Sequence, residues 1–308
     1  MQPATAPRVS VIIPAYRSGA TLPRALLAIA GQSPPPLEII VVGSSLPAPD
    51  LSTLAALPVA VRYMQVAHRL YPHQARNYGA AYARGDLLLF TDPDIYPEPL
   101  WLHELVLAWQ QTGAVVFGAL ACHGRRWLDI GAHFCKFHIC LPGGPAHPIA
   151  FGWSGAMLIE RSAFWAVGGF PDQLWAGDTM VSAQLRCDGY ALWFVAHAVA
   201  QHDHEQITWR SLLRERYQRG REFGNMLAGE SFGGAVWTNR QLLRHVIGSL
   251  FLPLQLLLTL ARIARQAQAA GLLADYFWTL PVIVAGRAVW ALGNATGYTD
   301  VLRRRMAA

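Results

Sequence analysis

The chain has 308 residues, enough for one large α/β domain with an appendage or for two domains. At 53% hydrophobic and 14% charged, with eleven Trp, it must bury a large core or set apolar surface against a membrane or partner. Its net charge of +6 comes almost entirely from arginine, clustered at residues 210–221 and 303–305; this suits anionic lipid head groups or a solvated basic face, and no nucleic-acid-binding motif accompanies it, so nucleic acid is not expected as a partner.

Residues 1–7 form a polar, Pro-rich tail without a secretory pattern, so the catalytic part is expected to be cytosolic. Residues 9–14 (VSVIIP) are apolar and β-branched and read as a buried parallel strand. Leu22, Ala25, Leu26 and Ile29 then fall at helical spacing, with Thr21 and Gly31 as start and stop signals. Strands are predicted over 38–42, 59–66, 86–91 and 114–119. Helices are predicted over 51–57, 74–84 and 99–113. Residues 120–150, with four His and a Pro-Gly-Gly-Pro run, read as a mobile loop near the site. A strand ending near residue 159, helices over 161–167 and 178–188, and a strand over 191–200 complete the series.

This alternation predicts an α/β fold, a mainly parallel central sheet flanked by helices, with ligands at the carboxyl ends of the strands. Pro14, Ala15 and Tyr16, then Gly43, Ser44 and Ser45, then Asp92 and Asp94 lie at three such ends. In extended chain the i, i+2 spacing of the two aspartates puts both on one side, roughly 7 Å apart. Two acids ending a buried strand require a cation, and a divalent ion carrying a diphosphate would serve.

After residue 206 the pattern is helical. A basic helix over 207–226 precedes apolar stretches at 246–261 and 271–292, the first interrupted by Pro253 and Gln255 and the second by Asp275, Pro281 and Arg287. Neither is a clean span of about 20 apolar residues, so helices lying in the membrane surface are expected, with a short hydrophobic hairpin as the alternative and an oligomer interface as a third possibility. Cys122, Cys135, Cys140 and Cys187 have no framework spacing; Cys135-x-x-His138-x-Cys140 lacks a fourth ligand, and free thiols are expected.

Together VSVIIPAY (9–16), EIIVV (38–42), ARNYG (75–79), GDLLLFTDPD (85–94), Gly168-Gly169-Phe170, Asp178, Asp188-Gly189-Tyr190 and His202 resemble the inverting family 2 glycosyltransferases, over residues 8–205. The resemblance implies a Rossmann-like A-type catalytic domain there and a membrane-associated helical region over 206–308. It implies a nucleotide-diphospho-sugar donor and a lipid-linked or glycan acceptor. Pro14, Ala15, Tyr16, Ser44, Arg76 and Asp92 would bind the donor. Asp92, Asp94 and His202 would hold Mg²⁺ or Mn²⁺, with His204 the rival of His202. Asp178 would be the general base; a helix N-cap is its structural alternative.

Three departures stand out. Gly43 and Gly177 occupy positions where the family carries acids, and no Gln-x-x-Arg-Trp motif of processive synthases is present. The alternatives are a non-catalytic sugar-nucleotide binder or membrane scaffold, motivated by the lost acids, and a nucleotidylyltransferase, which would need a Gly-rich phosphate loop after residue 14 that is missing.

Overall fold

Runs rich in Val, Ile and Leu build the first half of the sheet. In the computed structural model, which describes residues 7–46, 57–172, 177–205, 207–228 and 252–307, these are β1 (Val9–Ala15), β2 (Glu38–Gly43), β3 (Ala60–Gln65) and β4 (Leu87–Thr91). Residues 51–56 of the expected short helix and 246–251 of the first apolar run lie outside the described residues. The four strands pair in parallel in the order β3-β2-β1-β4. β1, β2 and β4 are buried along their whole length, which is why they show no polar alternation. Helices α1 (Leu22–Ala30) and α2 (Pro72–Ala81) belong to the crossovers. On α2, Gly79 gives a close approach to the sheet: a Cβ there would meet Ile12 Cγ2 at 2.7 Å.

The chain continues through β5 (Ile95–Pro97), α3 (Trp101–Thr112), β6 (Val115–Cys122), α4 (Trp127–Phe137), β7 (His147–Pro148), β8 (Ala156–Glu160), α5 (Arg161–Ala166), α6 (Gly177–Cys187) and β9 (Leu192–His202). The full sheet order is β3-β2-β1-β4-β8-β6-β9-β5, with β7 on β9. β8 runs antiparallel to β4 and β6, and β9 antiparallel to β5 and β7, so the parallel pairing predicted from βαβ alternation belongs to the first four strands of a mixed sheet.

The chain divides into two compact units, residues 1–121 with 145–203, and residues 122–144 with 204–308. The second unit is helical. Besides α4 it contains α7 (Trp209–Ala228), α8 (Leu252–Ala269), α9 (Leu273–Trp278) and α10 (Leu280–Ala307). The segment 120–150 is thus not a plain loop. Its Gly and His content hid an apolar face on α4, and Phe134 and Cys135 of that face pack with Ile263, Ala267, Tyr276 and Ile283.

α7 and α10 approach with backbone against backbone. A Cβ on Gly220 or Gly224 would meet the carbonyl oxygens of Trp290 or Asn294 at 2.1 and 2.2 Å. One on Gly293 or Gly297 would meet those of Tyr217 or Arg221, both at 2.1 Å. Arg221 closes the seam with an ion pair to Asp300 at 2.6 Å. Among the described residues, no helix is long and apolar enough to cross a membrane. Leu254, Leu257, Leu258, Phe277 and Trp278 are nevertheless exposed.

Candidate active site

The parallel strands deliver their carboxyl ends to one edge of the first unit. Pro14 and Ala15 are the last residues of β1, paired with Val42 and Gly43. Tyr16 follows, exposed, with the guanidinium of Arg69 4.5 Å and that of Arg17 5.3 Å from its ring centre. Ser44 is buried; its N–H donates to Ala15 O at 3.0 Å and its hydroxyl to Leu70 O at 3.3 Å, which ties the ends of β1 and β2 together.

The two aspartates part company. β4 ends at Thr91, and Ile95 N–H donates back to Asp92 O, so residues 92–95 form a turn rather than the extended chain expected from i, i+2 spacing. Asp92 forms an ion pair with Arg76, which is 3% exposed and reaches it from α2. Asp94 lies beside the β5–β9 pairing. Ile95 pairs with His202 across β5 and β9, Asp203 N–H donates to Asp94 O at 2.8 Å, and His202 Nε2 lies 3.7 Å from Asp94 Oδ2.

Asp178 sits in the first turn of α6, inside the helix rather than at its cap, where the helix dipole favours a negative charge. Its Oδ1 lies 3.7 Å from His73 Nε2, and His73 Nδ1 lies 3.4 Å from Arg76 Nη1. A continuous line therefore runs from Asp178 through His73 and Arg76 to Asp92. Burial pushes the Asp178 carboxyl up, but the charges of His73 and Arg76 and hydrogen bonds from Ser154 outweigh it and hold it below the ordinary carboxylate range. The side chain as a whole is one-third exposed (33%), so a substrate hydroxyl can reach the carboxylate, while its Oδ1 is buried and, among the described residues, accepts no hydrogen bond.

The motif residues explain one another. Asn77 clamps Phe170 by donating to its carbonyl at 2.7 Å and accepting from its N–H at 2.9 Å. Gly168 and Gly169, at φ +85° and +71°, supply the left-handed turn that presents Phe170. The Phe170 ring stacks on His73 at 4.9 Å, and Arg76 lies 5.8 Å from its centre.

The family model for Glycosyl transferase family 2 matches residues 10–168, 159 of the 308 residues. The chain belongs to glycosyltransferase family 2. A pre-mycofactocin glycosyltransferase of Mycobacterium tuberculosis is 25% identical over 230 residues, 71% of this chain and 47% of that protein. The chain spans less than half the length of the curated relatives it matches. Among solved structures, a mannosyltransferase from Pyrobaculum calidifontis in complex with GDP-Man and Mn²⁺ aligns with a TM-score of 0.58 at 21% identity, over 95% of this chain and 88% of that one. TarS (1–349) from S. aureus in complex with UDP-GlcNAc aligns with a TM-score of 0.54 at 16% identity, over 96% and 92%. These neighbours share the A-type glycosyltransferase fold.

Against that family pattern, the two glycines where acids are expected leave no empty space. A Cβ on Gly43 would lie 1.9 Å from the Tyr63 hydroxyl, and one on Gly177 would lie 2.5 Å from the His73 ring. In each case a ring from another element fills the space an acidic side chain would need. A helix expected from Gln74 leaves Pro72 and His73 outside it, whereas α2 begins at Pro72. The i, i+3 relation of His73 to Arg76 was the available signal. Tyr63, Arg69 and Ser154 gave no local signal.

The donor set also fits a divalent ion. At 3.7 Å, Asp94 and His202 are too far apart for a direct hydrogen bond, and a carboxylate oxygen with an imidazole nitrogen suits Mn²⁺ and tolerates Mg²⁺.

Proposed function

We propose that the chain transfers one sugar, with inversion and without processivity, from a nucleotide-diphospho-sugar to a lipid-linked or glycan acceptor. The observation that carries this reading is the line Asp178–His73–Arg76–Asp92, which sets an ionised, reachable carboxylate beside a buried guanidinium. Pro14, Ala15, Tyr16 and Ser44 form the wall against which the nucleoside packs. Arg76, held by Asp92 and Phe170, offers positive charge to the diphosphate. Asp178 takes the proton of the acceptor hydroxyl as that oxygen attacks the anomeric carbon. The bond from that carbon to the diphosphate oxygen breaks, and the nucleoside diphosphate leaves with the electron pair. Asp92, Asp94 and His202 would hold Mg²⁺ or Mn²⁺, a Lewis acid that offsets the charge on the departing diphosphate.

The same proposal places the protein on the cytoplasmic face of the cell membrane, held peripherally by its C-terminal helices. Exposed Leu254, Leu257 and Leu258 on α8, Phe277 and Trp278 on α9, and exposed Arg210 and Arg214 on α7 support it, because apolar side chains beside arginines suit an anionic lipid surface.

A panel of nucleotide sugars screened by thermal shift, with and without Mn²⁺, tests the donor site. One of them should raise the melting temperature, more so with the metal, and no shift with any of them overturns the reading.

A further inference from the structure

The helical second unit brings together three ligand-bearing side chains that the proposed transfer does not use, His202 rather than its rival His204 being the histidine beside Asp94. They are Cys122 at the end of β6, His133 in the middle of α4, and His204 ahead of α7. Their sulfur and nitrogen atoms all lie within 4.8 Å of one another. His133 is 2% exposed and His204 8%, while Cys122 is part-buried. The Phe137 ring shields both imidazoles, 5.2 Å from His133 and 6.1 Å from His204.

The nitrogen spacing is informative. His133 Nδ1 and His204 Nε2 are 3.3 Å apart. A tetrahedral zinc with Zn–N bonds of about 2.0–2.1 Å holds two imidazole nitrogens about 3.3–3.4 Å apart, so this pair already has that separation. A thiolate on the same ion would stand about 3.6 Å from each nitrogen, so the Cys122 sulfur, within 4.8 Å of both, has to close each separation by no more than about 1.2 Å. The thiol now donates to Gly124 O at 3.3 Å, a contact it would give up with its proton. One thiolate and two neutral imidazoles form a soft-to-borderline donor set, suited to zinc and poorly suited to the oxygen-seeking ions of a diphosphate site.

We infer that Cys122, His133 and His204 form a zinc site in the second unit, chemically separate from the Asp94–His202 pair. On binding, the Cys122 S–H bond breaks, its proton goes to solvent and the sulfur lone pair bonds the metal; the proton in the His133–His204 hydrogen bond moves to the other nitrogen of its ring, so that both facing nitrogens offer lone pairs. Three protein ligands leave a fourth position for water or another small ligand. The ion ties the end of β6 and the lead into α7 to the middle of α4, and its binding energy becomes stability of that unit. Cys135-x-x-His138-x-Cys140, from whose spacing no metal site is expected, takes no part in this group. In the structure Cys135 is packed into the apolar core, its thiol pushed up to about 11 by burial, and His138 Nδ1 lies 3.2 Å from Phe134 O.

The test uses the full chain, purified without chelator, analysed for metal and then stripped and titrated with Co²⁺. Expected are one zinc per chain and a cobalt derivative with a thiolate-to-metal charge-transfer band and intense tetrahedral d–d bands. Cys122→Ser should lose the charge-transfer band, and His133→Asn should lose stoichiometric zinc. Asp94→Asn should keep both, which separates this site from the donor metal. A wild-type cobalt spectrum without the charge-transfer band overturns the proposal, as does a band that survives in Cys122→Ser. Should that variant not fold, alkylation of the wild type decides: zinc must protect Cys122 from iodoacetamide, and equal labelling with and without zinc refutes the site.

Discussion

Glycine does opposite work in the two units. In the first, Gly43 and Gly177, where the sequence resemblance leads one to expect acids, each make room for a ring, the Tyr63 phenol or the His73 imidazole. In the second, Gly220, Gly224, Gly293 and Gly297 make room for backbone. A ring can swing aside, whereas a helix backbone can yield only by moving the helix. Substitutions in the first unit should therefore alter chemistry at little cost in stability, and substitutions in the second should do the reverse.

The strongest probe of the first half of that contrast is Asp178→Asn. Turnover should fall by about 10²–10⁴-fold while nucleotide-sugar binding, followed by calorimetry, is kept. Turnover near the wild-type value would remove Asp178 as the base. On the other side, Gly293→Ala or Gly220→Ala sets a methyl group against a carbonyl oxygen. Overpacking of this kind costs about 1–3 kcal/mol, a fall in melting temperature of roughly 3–10 °C, whereas Gly43→Ala should stay within roughly 1 kcal/mol because Tyr63 can turn away. Equal thermal shifts in the two sets would break the comparison.

Smaller effects sharpen it. The Asp178 carboxyl is held low by His73 and Arg76, so the acid limb of kcat/KM should lie below the ordinary carboxylate range. Removing the His73 charge in His73→Gln raises the carboxyl pKa and moves that limb to higher pH; an unmoved limb would show that His73 does not act on Asp178. In the second unit, burial pushes the Glu215 carboxyl up, but Lys136 at 2.5 Å and Arg219 overcome this and bring it from 4.5 to about 2. A depressed folded-state value gives stability that is present above about 4.5 and lost as pH falls toward about 2. Thermal melts between those values should therefore show a slope that Glu215→Gln flattens. Replacing Leu254, Leu257 and Leu258 with Glu should reduce flotation with anionic liposomes, and undiminished flotation would rule out α8 as the anchor.

Much of the first unit was legible in the chain. β1, β2 and β4 are continuous apolar runs because both of their faces are buried, and the motif residues at their ends converge as the parallel-sheet rule requires. That rule reaches Asp92 and Asp94, whereas Arg76 and His202 enter only through the family resemblance. The turn that separates the two aspartates was not legible, because it depends on β5 pairing with β9 more than a hundred residues later. His73, Tyr63 and the Cys122–His133–His204 group share that difficulty: their partners are set by tertiary packing, and no local spacing encodes them. α4 was obscured for a different reason. Glycine disfavours helix interiors, but Gly131 makes room for Val282, which a Cβ would meet at 2.4 Å.

The Tyr63–Gly43 contact has a consequence for what this strand end can hold. The two positions are coupled through volume. A side chain at 43 makes the Tyr63 ring turn away, and a small residue at 63 removes that need. The strand end therefore holds either glycine with the ring in place or a larger residue with the ring displaced, and the cost of exchanging the two is the cost of turning the ring. The double variant Gly43→Asp with Tyr63→Ser should melt at or slightly above the temperature of Gly43→Asp alone.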